Sequence, residues 1–145
     1  MNSQASGSQT SAKQMVYQQT TESVEVTVKP VFLEEQSRPL DNHYVWLYQV
    51  TIRNNGTETC TLRNRHWKIV DANGKTQEVK GAGVVGEEPI LNPGDTFEYS
   101  SGTPLNAPSG IMRGTYEMER SSGERFIVEI PAFSLDSPHD RAAFN

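Results

Sequence analysis

Tyr44-Val45-Trp46-Leu47-Tyr48-Gln49-Val50-Thr51-Ile52-Arg53 sets Tyr44, Trp46, Tyr48, Val50 and Ile52 on one side of a period of two, with Gln49, Thr51 and Arg53 opposite. A helix would bring apolar residues together every three or four positions; a spacing of two puts them on one face of a strand. The same period recurs on both sides of this stretch. Upstream, Val24, Val26 and Val28 alternate with Glu25, Thr27 and Lys29. Downstream, a third strand region runs from Thr57 to Asp71, bent or bulged near Asn64, and another spans Lys75 to Lys80. Phe97 and Tyr99 then alternate with Thr96 and Glu98. Met112, Gly114, Tyr116 and Met118 alternate with Arg113, Thr115 and Glu117, and Phe126, Val128 and Ile130 close the series. Pro131 ends regular pairing or marks an edge, because it has no amide to donate. Asn54-Asn55-Gly56 and Asn73-Gly74 read as hairpin turns, since Asn and Gly tolerate positive φ. Pro93-Gly94 and Ser121-Ser122-Gly123 supply further turns. About seven short strands with regular turns predict an all-β fold, an immunoglobulin- or fibronectin-III-like sandwich of two antiparallel sheets. A closed barrel has the same period and is the alternative.

The 145 residues suffice for one domain with a core and polar ends. Residues 1–20 are rich in Ser, Gln and Thr, too polar to offset chain entropy by burial, and are expected to be a disordered tail. The domain is expected over 21–139, with a short C-terminal tail at 140–145. A formal charge of -5, with scattered Lys and Arg, argues against a nucleic-acid partner. The densest basic group is only Arg63, Arg65 and Lys68. Cys60 is the single cysteine, so no internal disulfide or thiolate metal cage is expected; its alternating context points to a small buried side chain. No apolar span long enough for a membrane and no signal peptide are read, so a cytoplasmic location without membrane insertion is expected.

The chemistry-bearing candidate is Gly81-Ala82-Gly83-Val84-Val85-Gly86-Glu87-Glu88-Pro89. Its three glycines match a dinucleotide fingerprint, in which backbone approaches a pyrophosphate at a helix N-terminus. The context differs: Glu87 and Glu88 would repel phosphate, Pro89 breaks a helix, and no Gly-Lys-Ser/Thr follows. A glycine-shaped structural or partner-binding loop is the preferred reading, with nucleotide or pyrophosphate binding the alternative. His43, His66 and His139 have no zinc-site spacing. Asp71-Ala72-Asn73-Gly74 resembles a calcium-loop fragment but lacks the later acid, so a hairpin is preferred. Scattered Ser, His and Asp make no triad, and no catalytic residue, metal ligand or cofactor is assigned. Trp67 is expected in the core, while Arg65 and His66 beside it, and Arg113, are candidate contact residues.

The glycine loop, the strand Arg65–Gly74, the segment Pro108–Met118 and the closing Phe126–Phe133 together resemble the ApaG family over roughly Val24 to His139. The resemblance implies a fibronectin-III- or immunoglobulin-like sandwich. It also implies two functional associations: a name linked to cobalt and magnesium resistance, and related domains in F-box and polymerase-interacting proteins that look like interaction modules. Glu88 stands where the family pattern has glutamine. Ala82 stands where a polar or acidic residue is frequent, which removes a potential ligand.

The resulting expectation is a non-catalytic binding module for a protein partner. Its contact surface is assigned to Gly81, Gly83, Val84, Val85, Gly86, Glu87 and Glu88 with Arg65, His66 and Arg113. The alternatives are a divalent-cation-binding accessory of cobalt or magnesium homeostasis and the nucleotide reading above. Exposed edge strands would also permit a homodimer.

Overall fold

The computed structural model describes residues 15–140, so residues 1–14 of the expected tail at 1–20 and 141–145 of that at 140–145 lie outside them. Among the described residues nine strands form in the order β1 (Tyr17–Thr21), β2 (Val24–Phe32), β3 (Tyr44–Asn54), β4 (Cys60–Asp71), β5 (Thr76–Ala82), β6 (Ile90–Leu91), β7 (Thr96–Leu105), β8 (Ser109–Arg120) and β9 (Arg125–Asp136). They build two antiparallel sheets, ordered β1-β2-β3-β7 and β5-β4-β8-β9, with β6 added beside β5 on the edge of β4. This is the expected sandwich. Two strands exceed the expected number. β6 is only two residues long, too short for a period to show. β1 lies partly in the assigned tail, so the boundary at residue 20 is corrected to before Tyr17. Its polar Gln18, Gln19 and Thr20 form a strand because β2 supplies the register, from Tyr17↔Val28 to Thr21↔Val24.

The stripes meet between the sheets. Val24, Val26 and Val28 from β2 and Trp46, Val50 and Ile52 from β3 oppose Met112, Tyr116 and Met118 from β8 and Val128, Ile130 and Phe133 from β9. Each large side chain fully buried contributes about 1.5–3 kcal/mol. Trp46 adds a directional tie, its Nε1–H donating to the Asp136 carbonyl at 2.8 Å and linking the two sheets. Trp67 is buried, and its ring meets Tyr48 and Phe133 edge-on. Cys60 is buried as its context suggested. Gly114 lies opposite Trp67, and a Cβ there would come within 2.3 Å of the His66 carbonyl, so only glycine allows β8 to lie this close to β4.

One turn assignment is corrected. Asn54-Asn55-Gly56 does not close a hairpin, because β3 and β4 lie in different sheets. The buried Asn54 side chain pins the crossing instead. Its Nδ2 donates to the carbonyls of Glu58 and Leu91 at 2.8 and 2.9 Å, and its Oδ1 accepts the Gly56 N–H. Asn73-Gly74 is the hairpin it was read to be, with Asp71 Oδ1 accepting the N–H groups of Asn73 and Lys75. Pro131 sits where the β8–β9 register shifts between Met112 and Gly114, on an edge strand, which agrees with its reading.

Candidate functional site

The site begins with a bulge. Along β4 the inward residues are Cys60 and Leu62, then Trp67 and Ile69, which requires a phase change between. The register with β8 shifts between Leu62 and Asn64. Beyond the shift Arg65 falls into the inward phase of Trp67, and its half-buried guanidinium folds against the neighbouring edge. There β5 pairs with β4 up to Ala82↔Asn64, and β6 resumes the pairing at Thr61↔Ile90. Residues 83–89 are the excursion between them, leaving the edge at the bulge.

Each glycine of the excursion has a mechanical reason. A Cβ on Gly81 would lie 2.8 Å from Arg65 Nη1, so Gly81 leaves room for the guanidinium. Gly83 has φ +61, and a Cβ there would sit 2.1 Å from the Glu87 carbonyl oxygen. Gly86 has φ +81 at the tip. Val84 and Glu87 exchange both backbone hydrogen bonds, at 2.8 and 2.9 Å, around Val85 and Gly86. Positive φ at both central residues is the pattern of a two-residue type I′ turn, for which Asn-Gly is preferred. Here the first position holds a valine at φ +43 with 55% of its surface exposed. A β-branched residue at positive φ is an outlier.

The base of the excursion is fastened on both sides. Arg65 Nη1 donates to the carbonyls of Ala82 and Gly83 at 3.0 and 2.9 Å. Gly83 N–H donates to Arg63, and Leu62 N–H donates to Pro89. Arg63 bridges Glu88 at 2.9 Å and Glu119 at 2.8 Å. The Arg63 hydrogen bond holds the Glu119 carboxyl below its ordinary value. Glu87 has no side-chain partner among the described residues.

Inside the sandwich, beneath Arg65, Tyr99 and Tyr116 share a short hydrogen bond between their hydroxyls. Burial pushes both phenols up, and the Arg65 charge opposes the shift only weakly. On the outer face, His66 Nε2 meets Glu78 at 2.6 Å, and this contact lowers the Glu78 pKa. Asn64, Arg65, His66, Lys80, Gly81 and Ala82 form most of the wall of a shallow depression of about 410 Å³. A second, of about 210 Å³, is lined by His66, Lys68, Arg113, Gly114, Thr115 and Glu129.

The ten sequence-assigned residues therefore separate into groups. Val85, Gly86, Glu87 and Glu88 are exposed at the tip of the excursion. Arg65 and Gly81 belong to its fastening and share a depression with His66. Arg113 lies in the neighbouring depression, exposed and without an ion pair among the described residues. Two assignments are corrected: Gly83 and Val84 are buried, Val84 to 1% exposure, so neither offers contact surface. Val84 turns into the core, leaving Val85 outside. The sequence reading missed Arg63 and Glu119 as brace residues. Their signal was the broken alternation Leu62-Arg63-Asn64-Arg65, which shows that a bulge exists but not which carboxylates it brings near.

No helix follows Gly86, and the excursion runs through Pro89 into β6. Three of its amides, those of Gly83, Val84 and Glu87, are spent on backbone carbonyls. Among the described residues, no three His, Cys, Asp or Glu side chains are grouped to hold a metal ion. No helix among them is long and apolar enough to cross a membrane.

A model of the ApaG domain matches residues 34–120. The chain is 61% identical to Protein ApaG of Paramagnetospirillum magneticum over 130 residues, covering 90% of this chain and all of that one. It is 60% identical to Protein ApaG of Parvibaculum lavamentivorans, covering 86% and 95%. A solved structure of an ApaA protein from Bordetella pertussis is similar at 44% identity and a TM-score of 0.77, over 85% of this chain and 97% of that one.

Proposed function

We propose that this chain, which belongs to the ApaG family, is a non-catalytic binding module that presents the 85–88 tip to a protein partner. The observation that carries the reading is Val85. A valine in the left-handed region costs about 1–2 kcal/mol relative to an unstrained backbone. It occupies a turn position where Asn would be relaxed, and half of it faces solvent. Strain of that kind, held by a braced base, suits a residue that must be displayed. Glu87 stands beside it with a carboxylate unpaired among the described residues, so the tip joins apolar contact to negative charge. A partner surface with an apolar recess and a basic rim fits that chemistry. The braces from Arg65 and Arg63 limit the ordering cost of binding, because the tip is already shaped.

The test is affinity capture from native cytosol by the full chain, compared with Val85→Asn and Glu87→Ala variants whose unfolding curves show an intact fold. The expected result is one or more proteins retained by the parent chain and lost with both variants. An unchanged capture profile would remove the tip from the binding surface.

A further inference from the structure

Four strands bound the two sheets, and three of their edges are covered or guarded. β1 and β9 lie against each other, with Thr21 Oγ1 accepting the Glu129 N–H at 3.1 Å. The β5 edge is interrupted by the 83–89 excursion and carries Glu78 and Lys80, devices that discourage strand addition. β7 differs. It is unbroken over ten residues, Thr96–Leu105, and Glu98 is its only charge.

The register shows which of its groups are free. Asn54 N–H donates toward Asp95 and Leu33 N–H donates to Val45. Even-numbered residues of β3 therefore face β7, and odd-numbered ones face β2. Their partners Phe97, Tyr99, Ser101, Thr103 and Leu105 use their amides and carbonyls on β3. Thr96, Glu98, Ser100, Gly102 and Pro104 turn theirs outward, and no backbone partner meets them among the described residues.

We propose that this edge pairs with β7 of a second copy, antiparallel about a two-fold axis at Ser100, joining two four-stranded sheets into one of eight strands. The proposal is independent of the role of the 85–88 tip. Ser100 is the middle of the five outward residues, so an axis there pairs all of them within β7, whereas an axis at Tyr99 or Ser101 would carry Pro104 or Thr96 past the end of the strand. An axis at Glu98 would set two carboxylates against each other, and like charges directly opposite are unfavourable. An axis at Gly102 would put Pro104, which has no N–H, against Ser100 and leave Thr96 overhanging. Centred on Ser100, the pairing sets Glu98 against the partner's Gly102 and Thr96 against the partner's Pro104. All five outward residues then face a partner, with the pair lacking one hydrogen bond, Thr96 with Pro104, at the strand ends rather than beside the axis, and no like charges meet. The small Ser100 and Gly102 leave the approach open. The added strand would also lie on the flank where β5 overhangs. There Val79 is 41% exposed although its cross-strand neighbour Trp67 is 3% exposed.

Sedimentation velocity of the full chain from low micromolar to millimolar concentration tests the proposal, with a concentration-dependent dimer expected. Ser100→Lys sets two ammonium groups opposite each other on the axis and should weaken the dimer about fivefold or more at low salt. High salt should relieve that loss. Gly102→Lys faces the partner's Glu98 and should leave the dimer unchanged or tighter. Both side chains point to solvent, and a Cβ at Gly102 meets only the Trp46 carbonyl at 3.5 Å, an ordinary contact. Thermal unfolding checks that both variants fold. A chain that stays monomeric throughout overturns the proposal. So does a dimer that Ser100→Lys leaves intact, or one that both substitutions weaken equally.

Discussion

Replacing Val85 by Asn should make the protein more stable, and the size of the gain can be worked out. The backbone at φ +43 costs a valine about 1–2 kcal/mol, while Asn adopts that region with little penalty. Against this stands lost burial. Val85 is 55% exposed, so somewhat less than half of about 1.5 kcal/mol is at stake, or about 0.7 kcal/mol. The difference is a net gain of about 0.3–1.3 kcal/mol. For a domain of this size, 1 kcal/mol moves Tm by about 3–4 °C. Urea and thermal unfolding of the two proteins measure it. Val85→Ala serves as the control, because its side chain cannot hydrogen-bond locally to ease the positive φ as Asn does, and it loses the apolar contact; it should not gain. A Val85→Asn variant less stable than the parent by more than about 0.5 kcal/mol would refute the reasoning. It would mean that Val85 is held by packing and that the tip is a cover over the core.

Gly83→Ala should destabilise the excursion by several kcal/mol, because its Cβ would meet the Glu87 carbonyl at 2.1 Å in a left-handed backbone. Gly86→Ala, with open space around it, should cost only about 1 kcal/mol; urea unfolding separates the two. Tyr99 and Tyr116 have folded pKa values raised above the ordinary 10.0 by burial, so their stabilisation is complete below pH 10 and is lost as pH rises beyond it. Stability measured from pH 9 to 12 should fall, and the double change to Phe should flatten the fall. Glu119 has the opposite sign. Its pKa lies below the ordinary 4.5, so its contribution is present above pH 4.5 and disappears as pH drops through the lowered value. Glu119→Gln should therefore show a shallower loss of stability in acid, read by circular dichroism. Arg65→Lys should loosen the excursion without unfolding the sandwich, since an ammonium cannot reproduce the guanidinium lying over Gly81. Faster amide exchange confined to 81–88 would report it.

The sheets and the core were legible in the sequence because burying one face of a strand imposes a period of two on the residues themselves. Tyr44, Trp46, Tyr48, Val50 and Ile52 carry that period without interruption, and so do Val24, Val26 and Val28. Local turn chemistry was readable where it is self-contained, as at Asn73-Gly74, where Asp71 supplies both acceptor bonds. Asn54-Asn55-Gly56 has similar composition but a different outcome. Its path depends on the carbonyls of Glu58 and Leu91, and the Leu91 contact comes from far along the chain. β1 escaped notice for a related reason: its residues are polar, and only the register of β2 makes them a strand.

By itself, the sequence determined the fold class, the burial of Trp67 and Cys60, and the presence of a shaped excursion at the three glycines. Composition and period act locally, so they survive in the linear text. Only the tertiary structure decided that Val84 would turn inward and Val85 outward. It also decided that Arg65 and Arg63 would brace the excursion, and that the β7 edge would be left without a paired strand among the described residues. Those outcomes depend on register and on contacts between distant strands, where a shift of one residue exchanges inside for outside.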